Sequence, residues 1–365
     1  MQDDGQLWHD ILWSSGGALN LQKCSYHHIR YAFTDAGEPF LSGNTSGTPL
    51  ALSSADGSPQ SIQQKSSYDV HKTLGVHKSP SGEHSKQLAI LKKKSDDHGR
   101  TVATSPFTRR DAWTYYFAIW LTSVGYPLPS CSFTFSQLDD AQRKAINAIL
   151  SRCGYNRSTH RAVIFGPACL GGASYRHLWV EQGVFQVTCF LKHWRLPATQ
   201  LGKLLRIAVA WFQAALGTGV SFLTDTETPL PHFESKWLRS LRLFLSHCDA
   251  SLTLDNSHVP ELQREGDTHI MDTVLASNRF TSTQICKINY CRLYLQAMTL
   301  SDICVADGTR LDSEFFFGRI PPGSAYTTWH SFTQDRPSET SWRLWRKACR
   351  LFAGEDGALL INLGT

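Results

Sequence analysis

The residues best suited to chemistry stand at the start of the sequence. Asp3 and Asp4 are adjacent carboxylates beside a segment whose apolar residues, Leu7, Trp8, Ile11 and Leu12, have helical spacing. Divalent-metal chemistry uses such carboxylates at a tight turn. Mg²⁺ prefers hard oxygen ligands, and two-metal phosphoryl transfer holds its ions about 3.5–4 Å apart on shared carboxylates. By themselves the two residues fit a solvated turn or a helix cap more readily. Cys24 with His27 and His28 would suit zinc, but no second Cys/His pair at matching spacing follows. The phosphate-binding Gly-x-x-x-x-Gly-Lys, the Gly-x-Ser-x-Gly elbow and His-Glu-x-x-His are all absent from the sequence. Val305 to Thr309 reads as an Asp-Gly turn at Asp307.

Clusters of cations form the second chemical signal. Lys92, Lys93 and Lys94 are consecutive, Arg109 and Arg110 adjoin, and Lys192 to Arg195 brackets Trp194. Lys203 and Arg206 follow, and Arg343, Arg346, Lys347 and Arg350 recur at the spacing of one helix face beside Trp342 and Trp345. Each cluster alone fits a solvated surface, whereas the set favours a polyanionic partner such as nucleic acid. The net charge of +5 permits that partner without demanding it. Trp113, Tyr115, Tyr116, Trp120, Trp211 and Trp237 are expected in the core.

Elements that must position these residues follow from periodicity. With 365 residues, 41% of them hydrophobic, the chain can bury a sizeable core in two or three domains. Residues 1–35 predict a helix or strand, a turn at Ser14 to Gly17 and a β-hairpin. Thr34 to Lys65 is rich in Gly, Ser, Thr and Pro and predicts a polar loop or flexible insertion. A short strand is expected at Lys72 to Val76. Beyond Pro106 the pattern is helical. Ser136 to Asp139 resembles a capping box, Leu138, Ala141, Ala145 and Ile149 make one helix face, and Gly154 suits a C-cap. Further helices are expected over Leu201–Leu216 closed by Gly217, over Phe233–Cys248, and from a cap at Thr281–Gln284 through Leu295. The polar stretch 249–268 joins two helical groups.

Ten cysteines without two-residue spacing suggest reduced thiols, and neither an apolar leader nor a membrane span is evident. An intracellular protein, cytoplasmic or nuclear, is the expectation, with no membrane partner.

The order of three elements resembles the C-terminal half of the palm of a reverse transcriptase, an RNA-directed DNA polymerase. Asp3-Asp4 resembles the metal-binding turn of that family, and Gly17 to Cys24 its following motif ending in a lysine. Leu74-Gly75-Val76 resembles its primer-gripping hairpin. The run Asp3 to Tyr26 looks like eukaryotic retrotransposon polymerases. The segments around Tyr155–Arg157, Gly166–Pro167, Leu170–Gly172, Arg176–Leu178 and Arg336–Arg346 look like the region beyond the palm. The resemblance implies Asp3 and Asp4 as Mg²⁺ ligands and Lys23 as general acid toward pyrophosphate. It makes Leu74 and Gly75 the residues that position the primer end. Lys92, Lys93, Lys94, Arg109, Arg110, Arg343 and Arg346 become contacts to an RNA or DNA primer–template.

The implied fold is α+β: small partial-palm hairpins over 1–80 with an insertion near 34–65, a helical thumb-like region over 81–250, and a helical C-terminal extension over 251–365. The partial palm is expected to carry an open sheet edge and apolar residues without a full partner layer. Met1 and Gln2 replace the family's aromatic residue and its neighbour, and the family's other catalytic Asp lies upstream of this turn. The expectation is a retrotransposon fragment that binds nucleic acid without polymerising alone. Two further readings stay open: a helical interaction domain, and a polymerase completed by a separate fingers and palm segment.

Overall fold

The structure, a computed structural model, describes residues 2–29, 31–33, 39–41, 50–53, 57–156, 158–319 and 336–364. It is a mixed α+β chain whose sheets have two or three strands. It divides into two units, one of residues 1–32 and 39–93, the other of residues 33–38 and 94–365.

In the first unit the helical spacing around Leu7 extends back through the acidic pair, giving α1 (Gln2–Ser14) with Asp3 and Asp4 in its first turn. Carboxylates are favoured there by the helix dipole. The short strands β1 (Ser25–His27), β2 (Tyr31–Phe33), β3 (Pro39–Leu41), β4 (Leu50–Ser53), β5 (Pro59–Lys65), β6 (His71–Thr73) and β7 (Val76–Lys78) follow. β5 is the central strand of the order β1-β5-β4, parallel to β1 and antiparallel to β4, with Leu50 opposite Ile62. The core beneath it is small: Leu21, Leu52 and Ile62, flanked by Leu19, Cys24, Tyr26 and Leu50.

Several expectations for residues 1–80 are corrected here. Asp3 and Asp4 lie in a helical turn and not at a hairpin tip, because the apolar period of 3.6 governs the whole segment. β1 pairs with β5, Ser25 opposite Gln63, in place of forming a local hairpin. Where composition suggests a loop over 34–65, residues 50–53 and 59–65 are paired strands; the rest of 34–58 lies mostly outside the described residues. Ile62 alone marks the buried face of β5, too sparse a pattern to read through the Ser and Gln around it. The β4 edge is also covered: Gln2 and Gln6, one turn apart, accept from the N–H groups of Ala51 and Ser53 at 3.0 Å each. An edge strand otherwise exposes those donors.

The second unit is helical. α2 (Ser85–Thr104) crosses from the first unit, and α3 (Arg109–Tyr115), α4 (Leu121–Gly125), α5 (Phe135–Arg152), α6 (Arg161–Phe165), α7 (Leu178–Trp194), α8 (Gln200–Leu216) and α9 (Lys236–His247) follow. α10 (Ile270–Ala276), α11 (Ser282–Leu295), α12 (Ser313–Phe317) and α13 (Glu339–Cys349) complete it. The α5 capping box is Thr134 with Gln137, two residues ahead of the expected cap. Gly154, at φ +88°, closes the helix, with Tyr155 N–H donating to the Leu150 carbonyl at 2.9 Å. Thr281 with Gln284 caps α11 as the sequence suggests.

The apolar cores of this unit include one around Phe190, Leu223 and Leu241 and another around Ile288, Trp342 and Trp345. They are tied together by Arg292 of α11, which donates to the Ala214 carbonyl of α8 at 3.0 Å, and by Gly219 N–H donating to Asp272 at 2.9 Å. Buried glutamines satisfy irregular backbone here. Gln182 of α7 accepts from Phe133 N–H at 3.1 Å and donates to its carbonyl at 2.9 Å, and Gln186 one turn on donates to Cys131 O at 2.8 Å. All ten cysteines are free thiols. Among the described residues no helix is long and apolar enough to cross a membrane.

Candidate nucleic-acid interface

The sharpest local feature of the first unit is the hairpin β6–β7. His71 pairs with Lys78, Lys72 with His77 and Thr73 with Val76, leaving Leu74 and Gly75 as the two turn residues. Both have positive φ, +48° and +86°, as a type I′ turn requires. The twist of that turn matches the strands, and Asn-Gly is its preferred sequence because Asn tolerates the left-handed region. A leucine there is costly on two counts: its Cβ crowds the following carbonyl, and 86% of its surface is exposed. Such breaks in local rules concentrate at functional positions.

The hairpin is well anchored. Val76 is buried, and His77 N–H donates to Gln87 Oε1 at 2.8 Å, with the Gln87 side chain itself buried at the start of α2. Lys72 and Lys78 are exposed on its two strands, and Lys86 and Lys93 are exposed on α2. From Gln60 to Lys93 the only carboxylates are Asp69 and Glu83, against Lys65, Lys72, Lys78, Lys86, Lys92 and Lys93. Asp69 is engaged locally, accepting from Ser66 N–H at 2.8 Å. The hairpin therefore presents an apolar tip on a cationic support. Sequence reasoning named Leu74 and Gly75 but overlooked Lys72 and Lys78; their position either side of the turn was the available signal.

The other candidate residues are dispersed. Asp3 and Asp4 are exposed, and neighbouring side chains on a helix diverge by about 100°, so the pair does not converge on one ion. Among the described residues no group of three or more His, Cys, Asp or Glu could hold a metal. Lys23 ends the short 3₁₀ turn Leu21–Lys23 and is exposed. His27 Nδ1 lies 2.9 Å from the Ser66 carbonyl, a hydrogen bond that ties β1 to the loop after β5.

In the second unit, Lys94 donates to the Ser123 carbonyl at 3.1 Å and is partly spent on structure. Arg109 and Arg110 are exposed in the first turn of α3, with the Arg109 guanidinium lying over Gly154. On α13, Arg346 pairs with Glu339 at 2.6 Å and Arg343 approaches the same carboxylate at 3.9 Å. Lys347 and Arg350 remain exposed on that helix. Trp342 and Trp345, expected beside these cations, are fully buried core residues on its inner face. Trp113 reverses the expectation the other way: it is half exposed, while Tyr116 and Trp120 on the same helical run are buried.

Comparison with known proteins gives no assignment: no family model, no curated protein and no solved structure matches the chain.

Proposed function

We propose that this chain is a reverse-transcriptase-like nucleic-acid-binding protein in which the Leu74-Gly75 hairpin contacts a primer–template duplex. The observation that carries the reading is the exposed leucine held in a left-handed turn between Lys72 and Lys78. A hairpin tip with glycine allows close backbone approach, a bare leucine packs against sugar and base edges, and lysines on both strands meet phosphates. The same order of motifs that resembles the reverse-transcriptase palm supports the choice of ligand. The role assigned is binding; nucleotide addition by this chain alone is no part of it. The exposed cations of α2, α3 and α13 are further candidates for sequence-independent phosphate binding.

The test is fluorescence anisotropy with a labelled primer–template duplex. Leu74→Asn keeps the turn, since Asn suits type I′ geometry, and is expected to weaken binding several-fold. Lys72→Glu with Lys78→Glu should weaken it by roughly tenfold or more, given the steep dependence of affinity on neutralised phosphates. Unchanged affinity in both variants would remove the hairpin from the interface.

A further inference from the structure

Two helices, one in each unit, carry outward apolar faces of opposite electrostatic character. α1 is fixed to β4 by Gln2 and Gln6, which turns Leu7, Trp8 and Ile11 away from the sheet at 60%, 60% and 51% exposure. Leu7 and Ile11 are one helical turn apart, with Trp8 beside them, so the three form a continuous patch. Asp3, Asp4 and Asp10 belong to the same helix, and no Lys or Arg occurs before Lys23. α8 is the converse. It buries Gly202, Val209, Gln213 and Leu216 on its inner face and leaves Leu201, Leu204 and Ile207 exposed at 49%, 61% and 64%. Between Glu181 and Asp225 the sequence has no carboxylate; Asp255 reaches Arg206 of α8 at 3.5 Å, while Lys192 and Arg195 before the helix and Lys203 on it are exposed.

We propose that α1 of one copy of this chain packs on α8 of a second copy. Charge complementarity selects this pairing. α1 against α1 would oppose carboxylates, α8 against α8 would oppose cations, and only the crossed contact joins aspartates to lysines and arginine around a shared apolar strip. The lengths agree: α1 has 13 residues and α8 has 17, roughly 20 Å and 25 Å of helix. An anionic lipid surface would attract α8 but repel α1, so it explains one face and leaves the other in water.

Sedimentation velocity over a concentration series tests this on the full chain. The wild type should dimerise, and added salt should weaken the dimer. Leu7→Glu with Ile11→Glu, and separately Leu204→Glu with Ile207→Glu, should each be monomeric. An equimolar mixture of the two variants should recover dimer, because one intact α1 then meets one intact α8. The wild type also reports without substitution. Carbodiimide coupling of mixed light and heavy isotope-labelled chains should give mixed links between peptides carrying Asp3 or Asp10 and those carrying Lys192 or Lys203. A wild-type monomer at every concentration, a variant that stays dimeric, no recovery on mixing, or links confined to single chains would each overturn the proposal.

Discussion

A Cβ atom on Gly217 would fall 2.6 Å from the Cζ of Arg292. The guanidinium occupies that space because it serves the end of α8: it donates to the carbonyls of Ala214 at 3.0 Å and Ala215 at 2.6 Å, and to that of Ala297 at 3.1 Å. Asn289 adds a second donor to Ala215 at 3.1 Å and accepts from Arg292 Nε at 2.9 Å. The last carbonyls of a helix lack intrahelical donors, and a buried cation at its negative end supplies them. Burial pulls the Arg292 pKa below the ordinary arginine range, so the carbonyls are what keep this charge tolerable inside the protein.

Gly217→Ala should therefore destabilise the chain. The residue has φ +65°, which a Cβ makes unfavourable by about 1–2 kcal/mol, and the clash with Arg292 adds to that. Urea denaturation should show a loss of roughly 2–4 kcal/mol. A loss under about 1 kcal/mol would mean that Arg292 can move aside without consequence.

His232 makes the stability of the same region depend on pH. Its Nε2 lies 3.1 Å from the Leu216 carbonyl, so Nε2 carries the proton, and buried Nδ1 has no partner. Burial lowers its pKa from 6.5 to about 4. The unfolded chain then binds a proton that the folded chain refuses between those values. The contribution is complete above pH 6.5 and is lost as pH falls toward 4, at up to about 1.4 kcal/mol per pH unit. His232→Gln keeps a donor for Leu216 and should flatten that part of the stability profile. An unchanged slope in the variant would assign the dependence to other groups.

Gln182 offers a test of how the helical unit holds its irregular segments. With Gln182→Ala, the N–H and carbonyl of Phe133 lose the two hydrogen bonds that Gln182 makes with them. Leaving a buried pair of backbone groups unsatisfied costs about 2–4 kcal/mol. A nearly neutral effect on the urea midpoint would show that water replaces the glutamine.

Periodicity made α5, α8, α9 and α11 legible, since one apolar face repeats over many residues, but did not bring out α2 or α7. The α8 stripe ending at Gly217, the Phe233–Cys248 helix and the Thr281–Gln284 cap all follow from that pattern. The small sheet was not legible: β1, β4 and β5 carry few buried apolar residues, and β1 finds β5 across a gap that local pattern cannot span. The role of Gln2 and Gln6 as an edge cover is equally hidden, because a glutamine one turn from another reads as surface until the strand beside it is known. Trp342 and Trp345 were misplaced because helical spacing alone does not say which face looks inward. Of the candidate interface, Leu74 and Gly75 stood out through motif order, whereas Lys72 and Lys78 were passed over although they flank the turn in the sequence.

Leu74 should also separate stability from binding. Replacing it with Asn removes a strained, exposed leucine, and thermal unfolding should show the hairpin unit stabilised by roughly 0.5–1 kcal/mol. Loss of stability instead would mean that the leucine packs on its own unit and has no special reason to face a ligand.

The proposed role of this protein is to hold the phosphate backbone of a nucleic acid duplex. The most direct measurement is the dissociation constant of the purified chain for a primer–template duplex across a series of salt concentrations. Log affinity is predicted to fall linearly with log salt, with a slope of about −0.9 for each phosphate neutralised and a total reflecting several contacts. Absent binding, or an affinity that salt leaves unchanged, would contradict the account.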